Sequence, residues 1–183
     1  MQNTVLRMLV ALMCILAACA DVMPVQDFDL QRMGGKWYTV GFATNAAWFV
    51  NHKDKMKVGT ANFVPTADGD IELNHAHVKD DGTCWRMNHL AKKTDTPGRF
   101  TFYSQKWNND NDVRVVDVNY DSYALLHTIK TRDGVSEVLN QLYTRTTDVS
   151  ADLQQKFLDF SLQTGVLAEN VAMLPSAAEC TED

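Results

Sequence analysis

Three imidazoles are the side chains in this sequence best suited to chemistry: His75 and His77, two apart, and His89, one short stretch further on. On an extended chain His75 and His77 share a face. Three imidazoles lining one pocket would carry the donor set for zinc or an acid–base group that works near neutral pH. No carboxylate stands at a spacing that would pair with them, so they read better as polar lining that fixes the head of a bound molecule. The reading therefore assigns no metal and no cofactor. His52 and His127 fall in no such pattern.

The four cysteines are the second chemical feature, and what they do depends on the first twenty residues. Arg7 precedes an apolar stretch from Met8 to Ala18, and Ala18-Cys19-Ala20 is a small-residue cleavage signature. Residues 1–20 read as a secretory leader cut after Ala20, leaving Asp21–Asp183 as a single domain in an extracellular, oxidising compartment. The apolar run is too short to span a bilayer comfortably, so no stable membrane insertion is expected. A rival reading takes Leu16-Ala17-Ala18-Cys19 as a lipobox that would tether the protein to a bacterial envelope. Removal of the leader leaves only Cys84 and Cys180, for which one disulfide is the default. Closing so long a loop is worth on the order of 4–5 kcal/mol in the chain-entropy model. The formal charge of −6 without a basic run offers no footprint for nucleic acid or an anionic membrane. A monomer is the expected state.

Between the leader and residue 145 the chain alternates short strand-like runs with turn chemistry. Strands are expected near Trp37–Thr44, Met56–Pro65, Asp70–Val78, Thr83–Lys92, Arg99–Gln105, Asp112–Tyr120, Ser122–Lys130 and Val135–Arg145. Asp68-Gly69, Asp80-Asp81-Gly82, Thr96-Pro97-Gly98, Asn108–Asn111 and Asp133-Gly134 supply turns between them. Each connection is too short for a helical crossover, so neighbours run antiparallel. A sheet of that size removes its edges by closing, and the fold class is an all-β, eight-stranded antiparallel up-and-down barrel. After Arg145 the period changes: Leu153, Phe157, Phe160 and Thr164 form one stripe of a helix over Asp152–Thr164, with Ser150 as N-cap and Gly165 as stop. Its apolar stripe belongs against the outside of the barrel wall.

Gly35-Lys36-Trp37-Tyr38 opens the first strand, and an arginine, Arg145, ends the last. With the leader, the strand count, the C-terminal helix and the cysteine pair, these features resemble a lipocalin. The runs Gly35–Trp48, Asp117–Leu126, Leu142–Thr147 and Leu174–Cys180 are similar in content and order to the prostaglandin D synthase branch of that family. The resemblance implies that Trp37 and Arg145 stack at the closed end of a calyx, beside Gly35, as a cation–π pair. It also places Gly59 where the enzymes of that branch carry a nucleophilic thiol, with Thr39, Ala61 and His75 around it. Glycine has no side chain to deprotonate, so no catalytic residue is assigned. The second family motif, usually Thr-Asp-Tyr, reads Val118-Asn119-Tyr120 here.

The function expected from this resemblance is that of a secreted carrier holding a small lipophilic ligand, a retinoid, fatty acid, bile pigment or prostanoid. The expected lining is Thr39, Trp48, Gly59, Ala61, His75, His77, Met87, His89, Phe100, Phe102, Val113, Leu126 and Tyr143, with Met56 as a further wall candidate. A barrel of this size has room for one such molecule. Two alternatives stand beside it, an isomerase of prostaglandin H2 that works without the usual cysteine by using an external thiol, and the lipid-anchored envelope lipocalin. If the histidines hold an acidic ligand, affinity should rise as pH falls toward about 6.

Overall fold

The computed structural model describes residues 21–180. The leader, its cleavage site and the rival lipobox lie outside the described residues. The chain runs through α1 (Leu30–Met33), β1 (Gly35–Ala43), α2 (Ala47–Val50), a 3-10 turn (Lys53–Lys55), β2 (Gly59–Pro65), β3 (Ile71–Val78), β4 (Cys84–Lys93), β5 (Arg99–Ser104), β6 (Asn109–Asn119), β7 (Tyr123–Arg132) and β8 (Val135–Thr144). Then follow α3 (Ala151–Gln163), a second 3-10 turn (Ala168–Asn170) and β9 (Val171–Met173).

Strands β2 to β8 pair in sequence order, and β1 closes the barrel by pairing with both β8 and β2. Every pairing is antiparallel, as the short connections require. The β7–β8 hairpin shows the local cause: Asp133 and Gly134 adopt φ of 52° and 77° between the paired residues Arg132 and Val135. Two consecutive positive φ values are what a tight hairpin needs to match strand twist.

One edge of β1 changes partner halfway along. Gly35–Thr39 face β2, whereas Gly41–Ala43 face β9. The strand expected over Met56–Pro65 is therefore shorter and begins at Gly59, because β9 already occupies the edge that Met56–Val58 would have used. The Val58 N–H instead donates to the Pro175 carbonyl at 2.9 Å. Strand β9 itself, three residues long, is too brief to show a period in the sequence.

Alternation along the strands, interrupted by register shifts at Thr39/Gly41 and Val115/Asp117, divides the side chains into two apolar sets. The inner set includes Trp37, Phe63, Leu73, Phe100, Val113, Leu126 and Tyr143. The outer set gathers Val40, Leu125, Leu142 and Val166 around Phe157 of α3. The helix starts where Ser150 Oγ accepts the Leu153 N–H at 3.3 Å, and Gly165 follows it at φ 85°. Its close approach depends on Gly41, where a Cβ would stand 2.8 Å from a Phe157 ring carbon. A disulfide joins Cys84 at the start of β4 to Cys180, tying the C-terminal tail across the outside of the barrel.

Candidate functional site

The two ends of the barrel are built differently. At the closed end Trp37 is fully buried and its indole N–H donates to the Met33 carbonyl at 2.9 Å. The Arg145 guanidinium lies 3.6 Å from the indole centroid. From there it donates to the carbonyls of Tyr120 (2.9 Å), Lys36 (2.7 Å), Gly34 (3.0 Å) and Arg32 (3.1 Å). One planar cation thus ties together α1, the start of β1 and the β6–β7 turn. Tyr120 adds a hydrogen bond from the Asp29 N–H to its hydroxyl at 2.6 Å.

Above this plug the wall is apolar. Ala61, Phe63, Leu73, Phe100, Val113, Leu126 and Tyr143 point inward and are buried. Toward the open end the inward side chains change character: His75, His77, Trp85, Met87, His89, Phe102, Lys130 and Gln141 are only half-buried. The wall also parts there. β4 and β5 share only the pairs Lys92↔Thr101 and Lys93↔Phe100, leaving the upper reaches of both strands unpaired with each other.

Each histidine of the sequence reading has its own partner. His75 Nε2 lies 3.0 Å from the Tyr143 hydroxyl, deep on one wall. Burial pushes His75 down to about 4 and raises the Tyr143 phenol, so both are neutral near pH 7. His77 stacks on Trp85 at 4.7 Å, with Lys106 over the same indole at 4.9 Å. His89 packs on Phe102 at 4.5 Å and reaches Ser104 Oγ at 3.2 Å. His77 and His89 are both lowered by desolvation first, then by neighbouring lysines. Among the described residues no three of His, Cys, Asp or Glu gather into a metal-binding group. Burial thus disfavours the charged form of each of these imidazoles.

Thr39 is buried beside Tyr143, in register with it across β1 and β8. Trp48, on α2 at the mouth, is 44% exposed and meets Phe42 edge-on at 6.1 Å. Met56, a further wall candidate, lies before β2, outside any strand. At Gly59 a Cβ would stand 2.7 Å from the Ala76 carbonyl oxygen and 3.3 Å from His77 Cβ, so β3 backbone fills the space a side chain would need. Cys84 and Cys180, joined to each other, leave no free thiol among the described residues.

Lys130 was absent from the expected lining, although its parity with Leu126 on one strand is a signal for it. It occupies a belt across the open half of the barrel, formed in register by Phe102, Asn111, Lys130 and Glu137. Its ammonium donates to Asn111 Oδ1 at 2.5 Å. Desolvation lowers its pKa, with Glu137 acting in the opposite direction. The next layer down in register is Phe100, Val113, Thr128 and Leu139. The arrangement is that of a cation placed over a mainly apolar floor, in which Thr128 is the polar member.

A closed antiparallel barrel with a Trp–Arg plug, an open polar mouth and a helix on its outer wall defines a ligand-binding barrel of the calyx kind. Residues 34–177 match the lipocalin / cytosolic fatty-acid binding protein family, and the chain belongs to that family. It is 33% identical over 183 residues to a lipocalin of Rhinella marina, covering 100% of both chains. It is 31% identical over 168 residues to the prostaglandin-H2 D-isomerase of Canis lupus familiaris, covering 91% of this chain and 87% of the relative. A solved structure of the siderocalin Ex-FABP, described as functioning through dual ligand specificities, superposes with a TM-score of 0.71 at 30% identity, covering 82% of this chain and 99% of that one.

Proposed function

We propose that this protein is a secreted carrier that holds one lipophilic molecule with an acidic head inside the barrel. The observation that carries the reading is the belt itself: Lys130, half-buried and facing inward, stands one layer above Phe100, Val113 and Leu139. Apolar burial at roughly 25 cal/mol per Å² would supply most of the affinity for an acyl, polyene or prostanoid tail. The ammonium would then select a carboxylate, a charge-assisted contact worth about 1.5–3 kcal/mol. His89 and Ser104 can orient the same head, whereas His75, Tyr143 and Thr39 form a deeper neutral pair of walls suited to a hydroxyl or carbonyl. Membership of a family that includes fatty-acid carriers supports this reading.

The test is a fluorescence titration with cis-parinaric acid and its methyl ester, on the wild type and on Lys130→Met. The wild type should prefer the acid by about tenfold or more, and the variant should lose that preference while keeping the ester. Equal binding of acid and ester by the wild type would overturn the role given to Lys130. Binding of neither would overturn the carrier reading.

Extracellular location, cleavage after Ala20, a single domain over Asp21–Asp183 and a monomeric state belong to the same proposal. Among the described residues no helix is long and apolar enough to cross a membrane. Intact mass of the native protein separates a soluble chain beginning at Asp21 from one lipidated at Cys19, and gel filtration reads the oligomeric state. The similarity to an isomerase calls for one further assay, turnover of prostaglandin H2 with and without glutathione. Turnover only with the thiol present would assign the nucleophile to the additive, since Gly59 has none to offer.

A further inference from the structure

We infer that Lys130 captures lipophilic aldehydes covalently, as imines, inside the barrel. The inference rests on the carrier reading and goes beyond it, because it gives the belt a bond-forming role and names a second ligand class. Several other lysines are committed to ion pairs at the surface: Lys36 with Glu179, Lys57 with Asp80, Lys92 with Asp70 and Lys156 with Asp117. Those partners hold Lys36, Lys92 and Lys156 above the usual ammonium value. Lys130 moves in the opposite direction, because burial penalises its charge. Lys93 shares the inward parity of β4 but ends that strand at the closed end and is exposed.

Three features of the site match what imine formation requires. The amine must be neutral to attack, and a half-dry position shifts it that way. The electrophile must be held with its carbonyl carbon at the nitrogen, and the apolar floor beneath Lys130 would hold a long tail with its head at the belt. Dehydration needs a proton donor and acceptor, and Glu137 pairs directly with Lys130 across β7 and β8 while His89 lines the same mouth. In the reaction the nitrogen lone pair adds to the carbonyl carbon and a proton passes from nitrogen to oxygen, giving a carbinolamine. The hydroxyl then leaves as water, taking a proton relayed through Glu137 or His89, and the C=N bond forms. One water is released and nothing is oxidised or reduced. Asn111, 2% exposed, would hold the remaining N–H through Oδ1 and aim the lone pair at the cavity.

The experiment incubates the protein with all-trans-retinal, reduces with sodium borohydride and maps the modified peptide by mass spectrometry, with all-trans-retinol as the non-reactive control. Wild type should carry about one reduced adduct per chain, on the peptide that contains Lys130. Lys130→Met and Lys130→Gln should lose it at least tenfold while still quenching on retinol, and Lys93→Met should keep it. An adduct of equal yield in the Lys130 variants, or retinal that binds without any reducible adduct, would overturn the inference and leave the carrier reading intact. Failure of both retinal and retinol to bind, with cis-parinaric acid also excluded, would bring down both.

Discussion

Arg145, just after β8, and Lys130, on β7, are both cations drawn into the barrel, and they are treated in opposite ways. Arg145 stacks on Trp37 and spends most of its fork on four backbone carbonyls, so its charge serves the closure of that end. Lys130, on β7, is held by a single amide oxygen, at the end of the barrel where β4 and β5 have parted and several inward side chains are half-buried. A rigid planar fork with five donors suits closure, whereas a flexible point charge with donors to spare suits reception. One strand topology therefore carries two regimes, one in which polar groups are satisfied internally and one in which a ligand would have to finish the job.

The largest effect should come from breaking the closed end. Trp37→Ala removes a fully buried indole together with the face on which Arg145 stacks. Loss of about 3–5 kcal/mol in urea unfolding is expected. Parinaric acid affinity, measured where the variant remains folded, should change far less. A variant of near-normal stability with abolished binding would reverse the assignment of stability to one end and reception to the other.

The His75–Tyr143 pair lies between the two regimes and sharpens the boundary. An unfolded chain takes up a proton at this histidine near its ordinary 6.5, whereas the native ring resists until about 4. The unfolded state thus binds more protons across that window, and native stability falls as pH drops from 6.5 to 4, by roughly 3 kcal/mol, then levels off. Urea midpoints collected at several pH values should show that slope in the wild type and a much shallower one in His75→Gln. An unchanged slope in the variant would mean that His75 is not desolvated and that the open regime reaches deeper than the half-buried belt.

Gly59→Cys introduces a thiol at the position where the family resemblance implies one, and it tests whether the mouth is spacious on the β2–β3 side. A Cβ at 2.7 Å from the Ala76 carbonyl oxygen forces backbone to move, at a cost of about 1–3 kcal/mol. Wild-type stability in that variant would show that the two strands separate freely, and prostaglandin H2 turnover by it would then be a fair probe of the cavity.

The sequence carried the barrel because alternation holds along most of each strand: Phe100 and Phe102, or His75 and His77, cannot face opposite sides of one strand. Trp37 and Arg145 were legible as a pair only through family resemblance, since they are far apart in the chain. β9 and the late start of β2 were not legible, because competition for one edge of β1 is settled by a segment more than a hundred residues downstream. Lys130 is hidden in the sequence for a different reason. A lysine at the end of a predicted strand reads as a solvated terminus, but β7 extends to Arg132, and those added residues place it within the wall. The shifts of the histidines were equally hidden, since desolvation depends on neighbours from other strands.

The smallest effect expected on stability is that of Lys130→Met, and it bears most directly on the comparison. The substitution removes a desolvated charge, which favours the native state, and leaves Asn111 Oδ1 without its donor, which disfavours it by about 1–3 kcal/mol. Methionine fills a similar volume with an apolar chain, so packing above Phe100 and Val113 is kept. The opposing contributions should leave unfolding free energy within about 1 kcal/mol of wild type. Acid-ligand affinity should nevertheless fall about tenfold or more, because the anionic head then meets no cation. A loss of several kcal/mol would show that Lys130 holds β6 to β7 as Arg145 holds α1 to β1, and the two cations would then be doing the same work.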